Sequence, residues 1–434
     1  MILRPYQERA IAETRAAVRS GKRAPLIVAP TGAGKTVMFA HVVASHVAKG
    51  GRALVVVHRA ELVKQSIEKL EAAGVEAGTL GRSSPAIVST VQSLLAKEEI
   101  PSATMIVLDE AHHYVADEWR KVYQAYPSAI VLGLTATPER ADGKGLGDIF
   151  DSIVVVAQPR ELIREGALVP CNVKRPAAPL ERDQIAQWPD DAYVAHTPNG
   201  HAVVFAPHVL GAREYAARFD AKGIRARVVT GDMPKDERAR YLAEFQSGVV
   251  RVLVNVFVLT EGWDAPICDT CVIARGCGSQ GTFLQMTGRA LRPRAGKTEA
   301  TLLDLRGVTH VFGAPDEDRV YSLDGRGIRR KLDAEAICRT CGRLVNECGC
   351  PIGVGDAQEL PGVAGVALVD WRDKIAALPT NRLAVMLAKF MRDARERGHD
   401  PRSAFHRFKG ASKRWPDAGL IAEAQRLNRE RSGA

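Results

Sequence analysis

The sequence predicts an α/β protein of two tandem, doubly wound parallel sheets, on three observations. The first is a series of short, unbroken apolar runs: Pro25–Val28, Ala53–Val57, Ile87–Ser89, Met105–Leu108 and Ile130–Leu134. Continuous apolar runs suit parallel strands covered on both faces. The second is what separates them, turn residues and helical periodicity, the rhythm of strand–helix–strand units. The third is a pause and a restart. Pro170, Pro176, Pro179, Pro189 and Pro198 break regularity between Val169 and Gly200. The pattern then resumes at Ala202–Ala206, Arg225–Val229, Val252–Val256, Cys271–Ala274 and Thr301–Leu305.

These runs divide the 434 residues into a first α/β domain (1–168), a Pro-rich linker (169–200) and a second α/β domain (201–330). A four-cysteine segment (331–356) and a basic, helical C-terminal module (357–434) follow, with Asn381–Arg397 and Asp417–Arg429 reading as helices. At 46% apolar and 25% charged residues, the composition is that of a folded globular chain and excludes wholesale disorder. The formal charge is +10, and from Leu360 onward 15 basic residues face 8 acidic ones, so most of the surplus sits in the tail. A basic tail points to a polyanion, nucleic acid before membrane. No apolar run approaches the ~18–20 residues of a membrane span. MILRPYQERAIAETR is charged and amphipathic rather than a secretory signal. A cytoplasmic protein with no membrane partner is expected.

The strongest chemical signal is APTGAGKT, Ala29 to Thr36, between a strand and the helical run His41–Ala48. That is the setting a phosphate loop needs. Gly32 and Gly34, among Thr31 and Ala33, let backbone N–H groups turn toward phosphate oxygens at a helix N-terminus. Lys35 would reach the β- and γ-phosphates of ATP, and the Thr36 hydroxyl would bind Mg²⁺. The alternative is a glycine-rich turn that happens to contain Lys-Thr, and Ala29 stands where the general pattern has glycine. The second signal is MIVLDEAHH, an apolar run ending in Asp109-Glu110. In an open α/β sheet, ligands bind at the carboxyl ends of the strands. There Asp109 would hold Mg²⁺ and Glu110 would polarise the attacking water. An Asp-Glu pair alone is usually a solvated turn. The third signal is QMTGRALRP, where Arg289 and Arg292 lie three apart on one helical face and could neutralise charge on a γ-phosphate.

Together these motifs resemble a superfamily 2 helicase with a DEAH box, over roughly residues 1–310 and in the family's order. LRPYQ resembles the adenine-reading motif, which implies Gln7 as base contact with Arg4 or Tyr6 framing it. APTGAGKT is the family's usual loop, so Ala29 is no defect. VVVHRAELVKQ and VSTVQSL resemble the strand-tracking motifs of the first domain, and VVFAPHV, VTGDMPKDER and VLVNVFVLTEGWDAP resemble the motifs that follow in the second. The resemblance implies nucleic-acid contacts at Arg59, Thr90, Gln92, Thr230 and Thr260, and nucleotide contacts at Gly262 and Asp264. LTATP resembles the motif coupling hydrolysis to movement, which implies coupling roles for Thr135, Thr137 and His112. By the same match Gln285 would order the attacking water, Arg292 would be the arginine finger, and Arg289 would lie beside the γ-phosphate. Both sheets would then be RecA-like domains closing on ATP. Within the superfamily, TEGWDAP, QMTGRALRP and LLDLRGVTHVFGAP resemble RadD-like repair helicases, type III restriction subunits and phage-encoded helicases.

Eight cysteines are too few for a disulfide scaffold, but four crowd together as Cys338-x2-Cys341-x6-Cys348-x-Cys350. Four thiolates suit tetrahedral Zn²⁺, with redox thiols or an Fe–S centre as alternatives. Four cysteines leave no open position, so the zinc would be structural. Cys268, Cys271 and Cys277 read as core residues. In the tail, Phe405, Phe408 and Trp415 interleave with basic residues, which suits either base stacking or a small folded core.

The function expected is an ATP-dependent DNA helicase or translocase in repair, recombination or replication. It would be a monomer on single-stranded or forked DNA, with a single-strand-binding protein or nuclease as protein partner. The alternatives are the motor subunit of a restriction or phage-defence complex, and an RNA helicase. Intact Lys35, Asp109, Glu110 and Arg292 argue against a binding protein with a dead ATPase.

Overall fold

The computed structural model describes residues 3–96, 100–113, 117–140, 145–178, 180, 184–259, 263, 265–324, 362–370, 380–396 and 401–412, with single positions at 421, 424, 425 and 428. The first sheet comprises β1 (Pro25–Val28), β2 (Ala53–Val57), β3 (Ala77–Gly78), β4 (Ala86–Thr90), β5 (Met105–Asp109), β6 (Ile130–Thr135) and β7 (Ser152–Val155). Its order is β3-β4-β2-β5-β6-β1-β7, every pairing parallel. The helices with it are α1 (Pro5–Arg19), α2 (Lys35–Val47), α3 (Ala60–Ala72), α4 (Val91–Leu95), α5 (Asp117–Ala125) and α6 (Pro159–Arg164). β1, β2, β4 and β5 are buried at every position. Alternate residues enter two cores: Ile27, Val55, Val88 and Val107 meet Phe39 and Leu70, while Leu26, Val56, Ile87 and Ile106 meet Val122 and Phe150. The apolar runs are unbroken because both faces are covered.

The second sheet comprises β8 (Cys171–Pro176), β10 (Ala202–Phe205), β11 (Ala226–Val229), β12 (Val252–Asn255), β13 (Thr270–Ile273), β14 (Ala300–Asp304) and β16 (Leu368–Asp370). β9 (Gln184–Ile185) and β15 (Gly362–Val363) form a separate parallel pair. The order is β11-β12-β10-β13-β14-β8-β16, parallel except for β16 against β8. Its helices are α7 (Pro189–His196), α8 (Val209–Ala221), α9 (Lys235–Gln246), α10 (Gln280–Thr287) and α11 (Thr309–Phe312).

Two segments carry structure that the sequence reading did not give them. Residues 169–200 are more than a linker. They supply β8 to the second sheet, and α7 buries Tyr193 and Asp190 in the second domain. β8 is half-buried at alternate positions, with Pro176 at its end, so it lacks the unbroken apolar run. The C-terminal module is more than helical, since β15 and β16 attach it to the second domain. Helices Thr380–Glu396 and Pro401–Ser412 meet around Leu387, Ala388, Phe408 and Ala424, so Phe408 serves a core. Trp415, Asp417–Arg429 apart from its single described positions, and Cys338, Cys341, Cys348 and Cys350 lie outside the described residues.

After α11 the chain crosses back to the first domain. Gln158 Nε2 donates to the Arg319 carbonyl at 2.8 Å, and Arg319 N donates to Gln158 Oε1 at 3.0 Å. Gly147 N donates to the Leu323 carbonyl at 2.9 Å, and Tyr321 and Leu323 pack beside Phe150. Among the described residues no helix is long and apolar enough to cross a membrane.

Candidate nucleotide and nucleic-acid site

The phosphate loop leaves β1 and enters α2 through Gly34, whose φ of +84° is a left-handed conformation that glycine adopts without a Cβ penalty. Gln7 on α1 braces the loop. Its Nε2 donates to the Ala33 carbonyl at 2.9 Å, and its Oε1 accepts from Arg4 N at 2.9 Å. Both ends of this buried amide are thus engaged within the chain, while Arg4 is exposed.

Five predicted residues form one continuous chain of contacts across strand ends β1, β5 and β6. Lys35 Nζ lies 3.5 Å from Glu110 Oε1. Glu110 Oε2 lies 3.5 Å from His112 Nδ1, which is 3.0 Å from Thr135 Oγ1. Thr135 Oγ1 donates to the Thr137 carbonyl at 2.6 Å. Asp109 is buried beside Glu110, and burial, with the Glu110 charge second, pushes its carboxyl up to about 6. A divalent cation would relieve that crowding, so the donor set fits Mg²⁺.

The second domain meets this chain through α10, whose Ser279 cap accepts from Thr282 N at 3.1 Å. A Cβ on Gly281 would stand 2.7 Å from Thr137 Oγ1, and one on Gly288 would stand 2.7 Å from Thr31 Cβ. Only glycine permits that approach. Arg292 reaches over the loop, its Cγ 3.8 Å from where a Gly32 Cβ would lie. Arg289 is buried and donates to the Trp263 carbonyl. Gln285 is also buried, and neither its Nε2 nor Thr137 Oγ1 has a hydrogen-bond partner among the described residues. These polar atoms in the cleft suit a reacting water or a phosphate.

The predicted nucleic-acid contacts sit where parallel strands end. Arg59 precedes α3, and Thr90 caps α4, accepting from Ser93 N at 3.2 Å, with Gln92 exposed beside it. Thr230 follows β11. Thr260, Gly262 and Asp264 lie outside the described residues. Sequence reasoning missed the imidazoles of His58 and His113, stacked 4.9 Å apart, with His113 4.1 Å from His112. They connect the end of β2 to the catalytic turn. It also missed Gly281, which no motif flags. Cys268, Cys271 and Cys277 are buried free thiols, pushed upward by burial.

Residues 1–140 match the family described as the type III restriction enzyme res subunit, and residues 188–294 match the helicase conserved C-terminal domain. A 51.5 kDa protein of a Lactococcus phage (isolate 7-9) is 31% identical over 365 residues, covering 77% of this chain and 79% of that protein. The chain belongs to the superfamily 2 helicases. It is an ATP-dependent enzyme of the helicase and translocase class. The DNA 3'-5' translocase XPB2 of Sulfurisphaera tokodaii is 26% identical over 342 residues, 64% of this helicase and 77% of XPB2. Two fungal relatives are longer, and the match spans 52% and 57% of them. A solved fragment from Vibrio vulnificus, described as an HsdR subunit of a type I restriction enzyme, aligns with a TM-score of 0.60 at 24% identity. It covers 75% of this helicase and 67% of the fragment. At that identity the likeness concerns the fold, two parallel α/β sheets consistent with tandem RecA-like domains.

Proposed function

We propose that this helicase is a DNA-dependent ATP motor that moves on or remodels single-stranded or forked DNA. The observation that carries the reading is the contact chain from Lys35 through Glu110 and His112 to Thr137, with α10 seated against its far end. Hydrolysis between residues 1–168 and the second domain is thereby tied to how the two move. Lys35 holds the β- and γ-phosphates, with Thr31, Gly32, Ala33 and Gly34 around them. Asp109 and Thr36 would hold Mg²⁺, which neutralises phosphate charge. Glu110 takes a proton from water that Gln285 orients, and Arg292, with Arg289 beside it, meets the charge developing on the γ-phosphate. His112, Thr135 and Thr137 pass the nucleotide state across the cleft. Arg4 and Gln7 frame the base, and Gly262 and Asp264 complete the nucleotide contacts.

Arg59, Thr90, Gln92 and Thr230 would meet phosphates, as the family resemblance also implies for Thr260, so sequence preference is low. The relationship to XPB2, named a DNA translocase, supports DNA over RNA; the setting proposed is repair, recombination or replication. The match to restriction subunits supports a second reading, a motor whose partner cleaves. Cys338, Cys341, Cys348 and Cys350 hold one structural Zn²⁺, and purified protein should contain about one zinc per chain by elemental analysis. The basic charge of +10 fits a polyanionic partner, and the proposal extends to a cytoplasmic monomer that meets a single-strand-binding protein or nuclease.

ATP turnover measured with no nucleic acid, single-stranded DNA, forked DNA, duplex DNA and single-stranded RNA, at two salt concentrations, tests the reading. Stimulation by DNA that weakens with salt is expected. Stimulation by RNA alone overturns the choice of DNA.

A further inference from the structure

We infer that Phe257 is a stacking platform for a nucleobase of single-stranded nucleic acid lying along the second domain. The inference rests on the motor reading and gives a role to a residue of VLVNVFVLTEGWDAP that the resemblance left without one. β12 ends at Asn255, and Val256 N donates to the Val229 carbonyl at 3.2 Å. Phe257 therefore stands at the carboxyl rim of the sheet, two residues past β12, whose neighbour β11 leads into Thr230. That rim is where ligands meet an open α/β sheet.

Two features set this phenylalanine apart from an ordinary exposed apolar side chain. Its φ is +58°, a left-handed conformation that a bulky side chain rarely adopts. Among the described residues only Glu110, the proposed catalytic base, shares a positive φ without being glycine. Backbone strain of this kind collects at working sites, where the surroundings enforce it. The second feature is what holds the ring. The Arg275 guanidinium lies 3.7 Å from the ring centroid, and Arg275 is itself buried, its Nε donating to the Gly276 carbonyl at 3.2 Å. A fixed cation against an aromatic ring orients it. Phe257 nonetheless stays 38% exposed. An aromatic surface so held is suited to a base, because every base has a π-face. The contact would add affinity without adding sequence preference.

The experiment compares an oligo-dT with an abasic oligonucleotide of equal length, reading the concentration that half-saturates ATPase stimulation and direct binding. Wild-type protein is expected to favour oligo-dT over the abasic strand by roughly tenfold. Phe257→Ala should lose that preference while binding the abasic strand as wild type does, and Phe257→Trp should keep it. The tryptophan emission of Phe257→Trp, corrected for wild type, should be quenched by oligo-dT and not by the abasic strand. Equal dT preference in wild type and Phe257→Ala overturns this inference and leaves the motor reading standing. Wild-type protein that binds no oligonucleotide overturns both.

Discussion

Glu110 holds a backbone conformation of φ +51°, outside the range most side chains adopt, and this turns its carboxylate back toward Lys35 and His112. That placement suits a base acting on water at the mouth of the loop. Glu110→Gln keeps the shape and removes the basicity, so kcat should fall by ~10²–10⁴ with ATP affinity little changed. Unchanged turnover in a rapid-quench assay would remove Glu110 from the chemistry. Asp109 differs because burial, more than any neighbour, holds its carboxyl near 6. Its folded value lies above the ordinary 3.8. The metal-free folded state therefore binds this proton more tightly than the unfolded chain. The stabilisation is fully present below about 3.8 and is lost as pH rises through about 6. Asp109→Asn should consequently gain melting temperature over wild type as metal-free samples are taken from pH 4 to 7. In the working enzyme the proton competes with the cation, so the Mg²⁺ concentration for half-maximal turnover should climb as pH falls below about 6.

At the scale of the element, β2 and β5 were legible because both their faces are covered, so composition alone marks them. The phosphate loop and Asp109-Glu110 were legible for a related reason: their chemistry demands particular residue types at fixed spacing. β8 was not, because alternating half-buried positions and a terminal proline resemble a loop. Gly281 was invisible because its role is the absence of a side chain facing Thr137, a tertiary fact. α7 also hid in the Pro-rich stretch. It is pinned by Asp190, buried and bonded to Arg218 at 2.7 Å and Lys222 at 2.7 Å. Burial works against the Asp190 charge, yet the hydrogen bonds and charges of Arg218 and Lys222 hold it below the ordinary carboxylate range. Its contribution is present at neutral pH and is lost as pH falls through that depressed value. Asp190→Asn should cost about 2 kcal/mol at pH 7, discounted from a fully buried pair because Arg218 and Lys222 stay partly solvated. Urea melts at pH 7 and pH 3 check it, since the deficit should shrink at the lower pH.

At the scale of the molecule, the question is what keeps two domains that must open and close from drifting apart. The α10 face supplies glycine-thin contacts, whereas the strap from Gly313 to Asp324 supplies hydrogen bonds and apolar packing. Gln158 and Arg319 exchange two backbone–side-chain hydrogen bonds, and the half-buried Leu323 packs against the first domain's core that holds Phe150. Arg319 is half-buried and donates to the carbonyls of Ala314 and Glu317, which ties the strap to itself at the point where it is held. The second domain is thereby anchored to the first beside the phosphate loop, since Arg319 and Tyr321 line one cavity with Thr31 and Gly288. Gln158→Ala should remove about 1–3 kcal/mol of that anchorage, and Leu323→Asp should loosen it too, because a carboxylate turns to water rather than pack against that core. Calorimetry should then resolve two melting transitions in Leu323→Asp where the wild type shows one. Saturating ATP turnover should fall several-fold in both variants, since closure must now find its geometry from a wider range of openings. A Leu323→Asp protein that melts in one transition with wild-type turnover would show that α10 alone holds the domains together.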